Sequence, residues 1–321
     1  MNNGNKIQST VDDALQTLTH TLLYEGYSLY PYRNSALKNK TPIPFGVVYP
    51  KEYCRYNEYA EGEMQTECIL AADEKAVIEV IVKFLQINKQ VAGMAGEWKA
   101  IEREVNPGKL ILKNLLKNSV AFPFTFSAEN FPHGPANPVH NLTGRLLIDA
   151  DKIEGKENGF RLTVSVINLT EADSGGDSAN DDISNYAFVS THTIIKTNDG
   201  HFISQQDPGT DWSNAVSQCD NRKTWPVLID DENTTMLSSP IILYDHPEIN
   251  AKSMGDLFDS TEMEEALLLH VNVLTDEEKK QVANGDFKMQ AMIEKVKNVT
   301  PEELIILHDK IKNSNPKFFH T

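Results

Sequence analysis

At 321 residues the chain is long enough for two ordinary domains or one large one. Its 40% hydrophobic and 24% charged residues are the balance of a globular protein in water. The net charge of −16 argues against nucleic acid or an anionic membrane as partner, since a polyanion repels such a surface and no basic stripe offsets the repulsion.

Near the N-terminus, Val11, Leu15, Leu18 and Leu22 are spaced by four, three and four, which predicts one face of an amphipathic helix. A tyrosine-rich stretch from Tyr24 to Arg33 follows, where Pro31 disfavours helix. From there the signal is mainly β. Phe45–Tyr49 is a short candidate strand stopped by Pro50, and Met64–Leu70 is another. Over Val77–Leu85, Ile78, Val80, Val82 and Phe84 alternate with Glu79, Ile81 and Lys83, which fits a half-buried strand, although the length also permits a helix. Arg145–Ile148 precedes a charged turn at Glu154-Gly155, and Leu162, Val164 and Val166 then alternate with Arg161, Thr163 and Ser165. The segment from Glu171 to Ser184 holds five acids and no base, and reads as a projecting loop. Asn198-Asp199-Gly200 lies between two β-prone runs, Phe188–Lys196 and His201–Ser204. That pattern predicts a β-hairpin, because its turn residues tolerate positive φ.

The C-terminal part changes character. Leu267–Leu274 alternates like a strand, and Thr275-Asp276-Glu277-Glu278 and Thr300-Pro301-Glu302-Glu303 are both capping-box starts for helices. The expected fold is α+β: a mainly antiparallel, sandwich-like β core with an N-terminal helix and C-terminal helices. Its core spans 1–274, with a possible sub-boundary near 130–140, and a helical tail over 275–321 packs on it. The N-terminus lacks a basic region followed by an apolar stretch, and no apolar run approaches a membrane span, so a cytoplasmic location is expected.

Candidate chemistry concentrates at Tyr244-Asp245-His246-Pro247, where an apolar run ends in aromatic, acidic and imidazole groups. Asp245 and His246, with His192, are candidate metal ligands, since imidazole and carboxylate suit zinc, iron or manganese. No other cofactor is predicted. A turn imidazole bonded to the backbone is the plainer alternative. Cys219 would serve as a nucleophile only with a positioned base and a lowered pKa. Otherwise it packs as a small hydrophobe. Cys54, Cys68 and Cys219 include no C-x-x-C pair, which excludes a zinc ribbon and argues against a disulfide framework. From Gly255 to Glu278 there are eight acids and no Lys or Arg, and the spacing of Asp256, Asp259 and Glu262 does not follow an EF-hand. Those acids are candidates for an acidic docking surface, or simply for a solvated face. Tyr30, Tyr32 and Arg33 are residue types that anchor interfaces, and core packing of the tyrosines is an equal reading. Tyr24, Tyr30 and Trp225 are candidates for lining a small-ligand site. The common phosphate-loop, dinucleotide, serine-hydrolase and zinc-protease motifs are absent.

Several strings together resemble an uncharacterised bacterial family associated with [NiFe]-hydrogenase gene clusters. They are Leu22–Tyr27 with Leu29–Arg33, Ser35–Asn39, Met64–Cys68, Ser190–Thr193, Trp225–Leu228, Ser239–Pro247 and Gly255–Asp259. The chain departs from the family pattern at Arg222-Lys223, where a glycine is expected, and at Asn250-Ala251-Lys252, in place of a Pro- and acid-containing segment. The resemblance implies an accessory or assembly protein working through protein contacts, with a hydrogenase subunit or maturation factor as partner. It assigns no catalytic residue. A metal-dependent enzyme or metal-binding protein at His192, Asp245 and His246 is the alternative, and a small-ligand binding module is the second.

Overall fold

The computed structural model describes residues 15–23, 45–88, 99–129, 139–172 and 183–247. The chain divides into two compact units, Met1–His246 and Pro247–Thr321. Residues 248–321, and with them the expected strand at Leu267–Leu274 and the helices begun by Thr275 and Thr300, lie outside the described residues.

Helix α1 covers 15–23 and buries Leu15, Leu18 and Leu22, the face that their spacing predicts. The strands are β1 (Glu63–Ala71), β2 (Val77–Asn88), β3 (Lys99–Val105), β4 (Lys109–Ile111), β5 (Val120–Phe126), β6 (Leu142–Lys152), β7 (Gly159–Asn168), β8 (Val189–Thr197), β9 (His201–Phe202), β10 (Trp225–Leu228) and β11 (Thr235–Ser239). Short helices α2 (Lys51–Cys54) and α3 (Leu112–Leu115), and the longer α4 (Gly209–Val216), lie between them. One sheet has the order β5-β6-β7-β1-β9 and the other β10-β11-β8-β2-β3, with β4 also on β2. Every pairing between these strands is antiparallel. The mainly antiparallel β architecture is therefore present. β5 and β6, on either side of residues 130–140, are adjacent strands.

Strand alternation builds one core between the sheets. Leu162, Val164 and Val166 of β7 and Leu146 and Ile148 of β6 meet Ile78, Val80, Val82 and Phe84 of β2 and Ile195 of β8. Val77–Leu85 is thus a strand, and its alternating apolar residues are the ones buried. Each such side chain contributes about 1.5–3 kcal/mol relative to exposure. Phe84 stacks on Phe188 at 4.5 Å and meets the Phe126 edge at 5.8 Å, so aromatic contacts join the two layers. The outer face of the first sheet has its own small core, in which Ile69 packs with Ile203 and Ala215, against Trp212 and Val216. Helix α4 lies over β1 for this reason.

Two local expectations are corrected. Phe45–Tyr49 forms only an isolated bridge, Val48 to Phe188. Asn198-Asp199-Gly200 does not make a hairpin: β8 belongs to one sheet, and β9 pairs with β1 in the other. The turn instead carries the chain across the core. Asn198 Oδ1 accepts the Val77 N–H at 2.7 Å and Asp199 Oδ2 accepts the Asp73 N–H at 3.3 Å, so its side chains bind the β1–β2 connection instead of closing a two-strand ribbon. Gly200 at φ +77° fits because a Cβ there would stand 2.6 Å from the Ala72 Cβ.

Candidate functional site

The Asp245 region sits on the outer edge of β10. Ile229 donates its N–H to the Thr235 carbonyl, so Leu228, one residue earlier, turns its own backbone groups away from β11. An edge strand with unpaired groups invites pairing with another chain. Here the edge is blocked in two ways. Pro226, which shares that outward side, has no N–H. At Leu228, Asp245 Oδ1 accepts the N–H at 2.8 Å and the His246 N–H donates to the carbonyl at 2.7 Å. Asp245 Oδ2 accepts the Ser204 hydroxyl at 2.5 Å, and the Ser204 oxygen in turn accepts the N–H groups of Gln206 and Asp207. His246 takes φ +55°, a conformation histidine tolerates better than most residues, and its side chain is exposed.

The chain between β11 and this clamp runs back along β10. Trp225 is opposite Ser239 at one end of β10, and Tyr244 adjoins the clamp at the other. Ile241 and Leu243 are buried, whereas Ile242 is 66% exposed, Tyr244 68% and Trp225 45%. Gln206 Nε2 donates to the Leu243 carbonyl at 2.6 Å and holds the segment in that alternation. The carboxylate of Asp245 and the backbone groups of Leu228 are thus paired, and Ile242, Tyr244 and Trp225 stand exposed along the same edge.

His192 belongs to a different network. It is fully buried on β8, with Nδ1–H donating to the Ser190 carbonyl at 2.8 Å. That bond fixes the tautomer, leaving Nε2 to accept the Ser239 hydroxyl at 3.2 Å, whose oxygen accepts the Ile241 N–H. Burial lowers its pKa to about 4, only partly opposed by the backbone bond, so the ring is neutral at physiological pH. Both ring nitrogens are engaged, as are both Asp245 carboxylate oxygens. Among the described residues no three His, Cys, Asp or Glu side chains converge on a position for a metal ion.

Cys219 sits below the end of α4, with its thiol toward the Ala215 carbonyl and within 4.0 Å of Gln205 Nε2. Burial pushes its pKa up, the opposite of what a nucleophile requires. Cys68, buried in the core, is raised well above its ordinary value by the same cause. Neither His192 nor His246 is bonded to Cys219. Tyr24, Tyr30, Tyr32, Arg33, Asp256 and Asp259 lie outside the described residues.

Two polar clusters carry no sequence motif and only the fold assembles them. Arg103 lies over the Phe126 ring at 4.9 Å, with Nε donating to Gln86 Oε1 at 2.8 Å and Nη1 paired to Glu129 at 3.0 Å. Within the core, the Thr66 hydroxyl donates to Ser238 Oγ at 2.7 Å, and Ser238 and Thr224 are joined at 2.7 Å. Thr193, opposite Ser238, has a buried hydroxyl without a partner among the described residues, which costs about 1–3 kcal/mol if nothing satisfies it. Both are made by residues far apart in the chain, so spacing alone gives no signal of them. No described helix is long and apolar enough to cross a membrane. No family model, no curated protein and no solved structure matches this chain.

Proposed function

We propose that this chain is a non-catalytic accessory or assembly protein that acts in the cytoplasm through protein contacts, with the β10 edge as its docking surface. The observation that carries the reading is the exposure of Trp225 at one end of β10 and of Ile242 and Tyr244 toward the clamp at the other, where the Asp245 carboxylate is already paired. Aromatic side chains of this kind anchor interfaces at small entropic cost. The raised Cys219 thiol and the neutral, fully bonded His192 favour recognition over nucleophilic or acid–base chemistry. The partner class, a [NiFe]-hydrogenase subunit or maturation factor, comes from the resemblance carried by Ser239–Pro247 and the strings that accompany it.

The test is affinity capture of the tagged full chain from its native host, alongside a Trp225→Ser, Ile242→Ser, Tyr244→Ser triple variant. The expected result is a hydrogenase subunit or maturation factor retained by the wild type and lost by the variant. Capture of a different protein, lost equally in the variant, would keep the surface and remove the hydrogenase link. No retained protein, or retention indifferent to the substitutions, would defeat the docking reading.

A further inference from the structure

The hydroxyl cluster in the core carries an inference independent of the docking edge. Thr66 of β1 belongs to one sheet, Thr193 and Ser238 to the other, and Thr224 directly precedes β10. All four are buried, from 0% to 1% exposed. Met64 and Cys68, two residues either side of Thr66, and Ile195 and Met236, two residues from Thr193 and Ser238, belong to the apolar core, so these hydroxyls face inward.

Counting protons shows that the cluster is incomplete. Thr66, Ser238 and Thr224 form a chain of three hydroxyls joined by two hydrogen bonds. Two bonds use two protons, so one proton of the chain is left over whichever way the Ser238–Thr224 bond points. Thr193 holds a second proton and has no partner among the described residues. Neither of these two protons has an acceptor within hydrogen-bonding distance among the described residues, although Thr66 Oγ1 keeps open lone pairs. A single group with two lone pairs would satisfy both. Thr193 and Ser238 are directly opposite on adjacent antiparallel strands, where Cβ atoms stand about 4.5–5.5 Å apart. An oxygen accepting two O–H bonds of about 2.8 Å bridges hydroxyls at about that separation.

We propose that the core holds one internal water molecule, which accepts hydrogen bonds from Thr193 and from the free proton of the Thr66–Ser238–Thr224 chain and donates to the open lone pairs of Thr66 Oγ1. This water completes a polar joint between the two sheets in surroundings that are otherwise apolar. Buried waters of this kind have about three polar partners and are part of the structure.

The test is a crystal structure of the full chain at a resolution that shows other buried waters, together with the melting temperature of Thr193→Val. Valine has the shape of threonine without the hydroxyl. If the water is present, the substitution removes one of its partners and lowers the melting temperature by about 2–4 °C. If the site is dry, valine instead removes an unsatisfied polar group and raises it. The expected result is a density peak at hydrogen-bonding distance from Thr193 Oγ1 and one of the other three hydroxyls, with the variant melting lower. An empty site, or a variant that melts at or above the wild-type temperature, overturns the proposal. Should the variant not fold, the wild-type density decides alone.

Discussion

Asp245 occupies the place of a neighbouring strand at Leu228, taking its N–H at 2.8 Å while the adjacent His246 N–H returns to its carbonyl at 2.7 Å. The same carboxylate ties down the Ser204 loop. Asp245→Ala therefore leaves a part-buried N–H and a hydroxyl without their acceptor. The expected cost is about 1–3 kcal/mol, read as a lower urea midpoint with unchanged slope. Asp245→Asn, which keeps one acceptor oxygen, should recover part of the loss. Equal stability of Ala and wild type would mean that water replaces the carboxylate.

His192 predicts an acid sensitivity with a defined window. Its folded pKa of about 4 lies below the ordinary 6.5, so the unfolded chain binds the proton more readily. Stability from this group is complete above pH 6.5 and declines as pH falls from there toward 4. The loss approaches about 3 kcal/mol at the acid end. His192→Asn cannot titrate, so it should lose this part of the pH slope. Parallel pH profiles of unfolding free energy for the two proteins would refute the assignment.

Gly200 and Gly155 make a matched pair. Both have φ +77°, but a Cβ at Gly155 meets nothing within 4 Å, whereas at Gly200 it would be 2.6 Å from the Ala72 Cβ. Gly155→Ala should cost about 1 kcal/mol from backbone strain alone. Gly200→Ala should cost at least about 3 kcal/mol, because the crossing between sheets must move. Comparable chemical-denaturation midpoints for the two variants would contradict the crowding described at that turn.

The thiols offer a further check. Burial raises Cys54, Cys68 and Cys219, each as the first cause. A thiol reagent at pH 8 should find no fast-reacting cysteine in the folded protein, and Cys68 should react only on unfolding. A burst from Cys219 at native stability would reopen the nucleophile reading.

Much of the β architecture is legible from alternation, because period-two burial fixes the face of each residue in β2 and β7 without reference to their partners. Leu15, Leu18 and Leu22 identify α1 by the same logic at helical period. The Asp-Gly signal at residue 200 misleads because positive φ is a local property, whereas the sheet a strand joins is not. Leu228 shows the corresponding limit for the site. Asp245 is a candidate metal ligand in sequence, and nothing nearby in the chain reveals the Leu228 N–H that its carboxylate accepts. Likewise Arg103 finds Glu129 and Gln86 only after β2, β3 and the end of β5 are brought together.

The order of strands has a consequence for synthesis. β1 pairs with β7 and β2 with β8, partners that follow roughly a hundred residues later in the chain. At ribosomal rates of about 5–20 residues per second, the first two strands emerge some 5–20 s before their partners. Until β6 and β7 follow, Val80, Val82 and Phe84 lack the opposing sheet that covers them, and non-local pairing of this kind is intrinsically slow. A nascent chain built in this order carries bare apolar strand faces for seconds before they are buried.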